Sequence, residues 1–201
     1  MFGNYPKVDL SLMADITMGQ SPDSKSYNDE GNGMPFFQGK ADYGDKTAKV
    51  AHWTTEPKKI VETGTVLMSV RAPVGPVNIT PVKCCLGRGL CGINAKLNKT
   101  NNEFLYNSLN IMQDEISSKG VGSTFAAITK NDVYKIQIPD APIDIMSEFS
   151  LFTQQVDKSK FVVLFTLNIF YVRFLHFHHL PLHIQELYQF LHVQANVAPV
   201  L

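Results

Sequence analysis

The period of the apolar positions changes several times along the chain, and each change predicts a different element. From residue 1 to 60 the apolar islands are short. Gly, Asn, Asp, Ser and Pro separate them, notably in Gly19-Gln20-Ser21-Pro22, Tyr27 to Gly33 and Gly39 to Asp45, which predicts loop-dominated β structure. Between Gly64 and Ile93 the text GTVLMSVRAPVGPVNITPVKCCLGRGLCGI sets Val, Ile and Leu in runs bounded by Gly and Pro, the mark of strands joined by tight turns. That regularity extends to Leu97.

Helical spacing follows. Thr100-Asn-Asn-Glu103 has the form of a capping box, and Phe104, Leu105, Leu109, Met112 and Ile116 then recur on one face until Gly120 offers a stop. The spacing predicts one amphipathic helix of about five turns. Gly120 to Thr124 reads as a polar loop and Thr129 to Asp132 as a short helical start. Tyr134, Ile136 and Ile138, alternating with Lys135 and Gln137, read as a strand ended by Pro139. Beyond the connector IPDAPID a second helix begins near Ile145. Ile145, Phe149, Phe152, Val156, Ser159 and Val163 fall at alternating spacings of four and three, the seam of a coiled coil. Over so short a stretch, a helix packed on its own domain gives the same spacing.

From about Phe161 the character shifts. Arg173 and Glu186 are the sole formally charged side chains after Lys160, and Thr166 and Arg173 stand where the seam requires apolar residues. Phe161 to Val172 is shorter than the roughly 20 residues that a membrane-spanning helix needs, and it contains Asn168. His176, His179 and His183 would share a helical face, but Pro181 interrupts it, so no metal ligand is expected there. A disrupted reading frame accounts for a tail of this kind.

Composition narrows the class. With 201 residues, 44% of them hydrophobic, the chain can bury the core of one main domain plus an appendage. Eighteen basic residues balance eighteen acidic ones, so any nucleic-acid contact must come from a local patch, and general coating of DNA is excluded. The start, MFGNYPKVDLSLMADI, lacks a basic segment followed by an apolar one, which leads to the expectation of a cytoplasmic protein. The three cysteines, Cys84, Cys85 and Cys91, are odd in number and lack zinc-site spacing; they are expected as small core hydrophobes.

No catalytic constellation is present: G-x-x-x-x-G-K-[ST], G-x-G-x-x-G after a strand and H-E-x-x-H are all missing. Asp23 with Glu56-Pro57-Lys58 only imitates a metal-dependent nuclease, because Pro57 does not suit the rigid strand such a site requires. Catalytic residues, metal ligands and cofactors are therefore expected to be none. What stands out is Arg71 before Ala72-Pro73 and Arg88 between Gly87 and Gly89. Each sits on a turn where its planar fork can meet a phosphate or a guanine edge, unless it is a plain surface charge.

Taken in order, the segments resemble the specificity subunit of type I restriction-modification systems. Leu10 to Pro22, with Ile16 before Gly19-Gln20-Ser21-Pro22, is similar to the opening of its target recognition domain. The similarity continues through Met34-Pro-Phe-Phe-Gln-Gly39, Gly64 to Gly75 and Gly87-Arg-Gly-Leu90. It then takes in Gly122-Ser-Thr124 with Ile128-Thr-Lys130, and Ile138-Pro139 before a helix, covering about residues 8 to 160.

The resemblance implies an α+β protein. Residues 1–142 would form a β-rich DNA target recognition domain with one packed amphipathic helix. Residues 143–164 would start a C-terminal helical, coiled-coil-like spacer, and residues 165–201 would be an anomalous tail. It implies a non-catalytic, sequence-specific subunit that binds double-stranded DNA and methyltransferase subunits and, through them, a restriction subunit. Family members carry two recognition domains and two helices, whereas this chain has length for one of each. It would then work as a homodimer on two equal half-sites, or else be a truncated remnant.

Side chains that reach base edges from loops are the expected contacts: Gln20, Ser21 and Lys25 in the first loop, Gln38 and Lys40 in the second, Arg71 and Arg88 on the turns, and Ser123, Thr124 and Lys130 after the helix. At each, turn-capping or plain solvation competes. The expected partner helix presents Ile145, Phe149, Phe152, Val156 and Val163. The zero net charge and the apolar tail also fit another class, a β-rich protein-interaction module that docks a partner through its C-terminal helix without DNA.

Overall fold

The computed structural model describes residues 5–119 and 127–175, with side chains as far as Ser159. The chain divides into two compact units, residues 1–152 and 153–201. The first opens with β1 (Lys7–Asp9), α1 (Leu10–Met13) and β2 (Ala14–Met18), followed by β3 (Tyr27–Asn28), β4 (Met34–Phe37), β5 (Trp53–Thr54) and β6 (Ile60–Val61). The regular strand region supplies β7 (Val66–Ser69), β8 (Val77–Ile79), β9 (Cys84–Leu86) and β10 (Leu90–Ala95). Then come α2 (Asn102–Ile111), α3 (Gln113–Ser118), α4 (Lys130–Tyr134), β11 (Gln137–Pro139) and α5 (Ile143–Leu175), which continues into the second unit. The fold is α+β, as expected.

Beside the β1–β11 pair, two larger sheets enclose a core between them. An antiparallel sheet runs β2-β10-β7-β8, with Ile93 opposite both Ile16 and Val66, and a second sheet runs β3-β5-β4-β9-β6. Successive residues of β7 point to opposite sides with the period of a strand. Val66, Met68 and Val70 face the helices together with Cys91 and Ile93. Leu67 faces the second sheet with Leu90, Phe37, Val61 and Leu86. A strand buried on both sides needs no polar face, which is why Val66 to Met68 of β7 and all of β9 read as unbroken apolar runs. Gly92 lets the sheets close on one another, since a Cβ there would stand 2.8 Å from Val61 Cγ1. All three cysteines are free and buried.

On the other face α2 packs Phe104, Leu105 and Leu109, all fully buried. Its cap is Asn101 and not Thr100: the Asn101 side chain accepts the Phe104 N–H at 2.8 Å and also the Ser150 hydroxyl of α5 at 2.8 Å. Phe149 meets Phe104 edge to face at 6.1 Å. The five-turn helix expected here is two helices. Met112 leaves helical geometry at φ −91° and ψ 8° and donates to both Ser108 O and Leu109 O. Gly75 backs onto the Gln113 carbonyl there, where a Cβ would come within 2.8 Å.

The expected strand over Tyr134 to Ile138 is also shorter. Thr129 and Asp132 form a capping box that commits the chain to helix through Tyr134, leaving Gln137–Pro139 to pair with β1. The Thr129 hydrogen bonds hold the Asp132 carboxyl below its usual range.

The last helix starts at Ile143, before the expected Ile145. Met146 and Ser150 are buried against the domain, and Ile145 and Phe149 are half-buried. Phe152 and Val156, the next seam positions, are exposed. Val163 lies where no side chain is described, and His176, His179 and His183 lie outside the described residues. Among the described residues no helix is long and apolar enough to cross a membrane.

Candidate nucleic-acid interface

At one end of the sheets the loops are held by backbone contacts in place of side-chain packing. Leaving β2, the chain pins itself over the β9–β10 turn: Gly19 N–H donates to Leu90 O and Gln20 N–H to Leu86 O, both at 2.9 Å. The approach is so close that a Cβ on Gly19 would lie 2.1 Å from Gly87 O. Ser21 then accepts the Arg88 N–H at 3.2 Å, fixing the base of that arginine. The next turn, Ser24–Ser26, is capped by Asp23, whose carboxylate accepts the Lys25 N–H.

A second loop follows β4. Gly87 N–H donates to Phe37 O at 2.8 Å, and Gly89 lies so near Gln38 that a Cβ would meet its carbonyl at 2.4 Å. The loop is organised from within by Asp42, 7% exposed. Its carboxylate accepts the Gln38 N–H at 2.6 Å and the Gly39 N–H at 3.1 Å. A third loop leaves β7, where the Ser69 hydroxyl donates to Arg71 O at 2.9 Å. Arg71 bridges Ala127, and Ile128 N–H donates to Val70 O at 3.0 Å.

Between these loops opens a cleft of about 610 Å³, lined by Ser21, Gln38, Lys40, Arg71 and Arg88 along with Tyr27, Ser24, Ser69, Pro22, Ala72, Gly39 and Gly89. Two arginines and a lysine share this concavity, and among its described lining residues no side chain is acidic. In a chain of zero net charge that is a local positive field, focused by the concave shape.

Five expected contact residues therefore meet: Ser21, Gln38, Lys40, Arg71 and Arg88. Gln20 is exposed on the first loop and Lys25 on the capped turn, both outside the lining. Lys130 starts α4, also outside it, with its ammonium 5.0 Å over the Tyr134 ring. Ser123 and Thr124 lie outside the described residues. Sequence reading overlooked Tyr27, Ser24, Ser69 and the organising Asp42. Tyr27 was signalled only by its place after a capped turn; its hydroxyl donates to Pro22 O and its ring lies 4.8 Å from Phe36.

Nothing in the described residues gathers three or more His, Cys, Asp or Glu side chains around a metal site. His52 sits beside Asp29 at 2.6 Å, away from the cleft lining. Burial pushes the Cys84 thiol up to about 11 and that of Cys91 to about 12, which makes both poor nucleophiles at neutral pH.

Residues 4–161 match the family model described as the type I restriction modification DNA specificity domain. Over 129 residues the chain is 47% identical to a putative type I restriction enzyme MjaX specificity subunit of Methanocaldococcus jannaschii, covering 64% of this chain and 30% of that protein. It is similar to the HsdS subunit from Thermoanaerobacter tengcongensis, with TM-score 0.68 and 37% identity over 79% of this chain and 38% of the other. A chain from a structure concerned with complex assembly and conformational transition of the type I R-M system gives TM-score 0.70 and 38% identity, over 79% of this chain and 40% of that one. A specificity subunit from M. genitalium shares the fold at TM-score 0.65 and 18% identity, over 83% of this chain and 42% of that one. The chain thus spans well under half the length of each of these relatives.

Proposed function

Because the chain belongs to the type I restriction modification DNA specificity domain family, we propose that it is a sequence-specific DNA-binding specificity subunit with a single recognition domain. In this reading it directs partner methyltransferase and restriction subunits to a DNA half-site and performs no reaction itself. The observation that carries the reading is the cleft, where loops far apart in sequence bring Arg71, Arg88, Lys40, Gln38 and Ser21 together without an acidic side chain in the described lining.

Residues 1–142 are then the recognition domain and residues 143–164 the beginning of the spacer helix. Gln20, Lys25 and Lys130 extend the contact beyond the cleft, and Ser123 and Thr124 are assigned to the same DNA contact. The exposure of Phe152 and Val156 supports pairing of this helix with a second copy, so that two recognition domains meet two equal half-sites. Action on DNA supports the reading of a cytoplasmic protein.

The test is selection of a randomised duplex pool by the full chain. Enrichment of one short sequence is expected, with affinity that falls as salt rises because neutralised phosphates release counterions. A salt-insensitive contact with another protein, and no duplex binding, would instead identify a protein-interaction module.

A further inference from the structure

Resting on that reading, we propose that the cleft is the seat of one strand's phosphodiester ridge, so that Arg71, Arg88 and Lys40 neutralise phosphates and supply affinity independent of base sequence. Shape is the first argument. Base edges lie recessed in the grooves of a duplex and are reached by elements that project into them. The sugar–phosphate backbone is what projects from a duplex, and a concavity of about 610 Å³ suits a ridge.

The lining chemistry accords with this. Its charged side chains are Lys40, Arg71 and Arg88, all cations, and Ser21 and Ser24 add hydroxyls, groups that hold phosphate oxygens. Gly39 and Gly89 contribute bare backbone to the wall, which allows a phosphate to come close. Both arginines are exposed, and both rise from turns whose backbones are tied down, Arg88 through Ser21 Oγ and Arg71 through Ser69 Oγ. Rigid mounting aims the guanidinium fork without further ordering. Discrimination between sequences then falls to exposed residues outside the cleft lining, such as Gln20 and Lys25.

The inference is read with a duplex of random sequence, so no target need be known. Binding of the full chain is titrated from about 50 to 200 mM salt, where each lost phosphate contact lowers the log–log slope by about 0.9. Arg71→Ala with Arg88→Ala should lower the slope by about 1.8, so that the wild type loses about tenfold more affinity than the variant across that range. Lys at both positions should keep the slope, and melting temperatures should not move. An unchanged slope in the alanine variant, with losses confined to a selected sequence, would overturn the seat and make both arginines base readers. Equal loss with lysine would overturn it too. Absence of any salt-dependent binding by the wild type would fail the DNA reading itself.

Discussion

The helix-covered face of the β2-β10-β7-β8 sheet and the loop end that carries the cleft are built by opposite means. On the face, Val66, Met68, Cys91 and Ile93 meet Phe104 and Leu109, and geometry is held by side-chain volume. At the loop end Gly19, Gly87 and Gly89 meet Leu90, Phe37 and Gln38 through backbone, and geometry is held by hydrogen bonds and missing side chains. The contrast teaches where variation is tolerated. A packed face accepts exchanges that conserve volume. A glycine frame accepts none, yet it leaves the polar side chains mounted on it, Gln38, Lys40, Arg71 and Arg88, free to change. A duplex-binding cleft benefits from that division, because the side chains that meet the DNA can be altered without rebuilding the fold.

The largest expected effect is on the packed face. Phe104→Ala should cost about 4 kcal/mol of unfolding free energy, since the side chain is fully buried and leaves a cavity. Leu109→Met, nearly equal in volume, should cost under about 1.5 kcal/mol. Denaturant titration checks both, and comparable losses would erase the distinction drawn above. At the loop end a single methyl should do what a whole ring does in the core. Gly19→Ala places a Cβ 2.1 Å from Gly87 O and 2.7 Å from Leu90 O, backbone atoms that cannot turn aside. The expected cost is about 3 kcal/mol, and wild-type stability in this variant would remove the glycine frame from the argument.

Asp42 tests the link between frame and contacts. Asp42→Ala removes the carboxylate that accepts the part-buried Gln38 and Gly39 amides, for about 2 kcal/mol, and frees the loop that carries Gln38 and Lys40. Duplex affinity should fall along with stability. Asp42→Asn keeps an acceptor and should recover most of both, as seen by melting and by gel shift.

How much of this was legible in the sequence follows the same division. The strands from Gly64 to Leu97 and the apolar face of the first long helix were readable because burial writes itself as periodicity. Its cap was misplaced by one residue because Thr100 and Asn101 are both good caps, and contact with Ser150 of α5 belongs to the one the fold uses. The break at Met112 lies where Gly75, far away in the chain, approaches the Gln113 carbonyl. Likewise Arg71 and Arg88 were readable as turn arginines, whereas their common cleft was not. It depends on β4 pairing parallel with β9, Phe36 opposite Cys85, and on contacts made by backbone that every residue type shares. Asp42 stayed hidden for that reason: its role is to accept two amides, and nothing in the residue type announces which.

The last effect, the smallest when read per pH unit, compares the two cores through their thiols. Cys91 belongs to the helix-side core and Cys84 to the core between the sheets, and desolvation raises them to about 12 and about 11 from 9.0. Below pH 9 both folded and unfolded states hold these protons, and the thiols do not affect stability. Above it the unfolded chain loses protons that the native chain keeps, so stability falls by about 1.4 kcal/mol per pH unit for each thiol. The Cys84 contribution should level off near pH 11, and that of Cys91 should continue to about 12. Cys84→Ala and Cys91→Ala should each remove one such increment from the alkaline slope, whatever cavity they leave at neutral pH. If Cys91→Ala leaves the slope between pH 9 and 11 unchanged, its thiol ionises in the native state. The helix side of the sheet would then admit water, and the two ends of the domain would differ less than their construction implies.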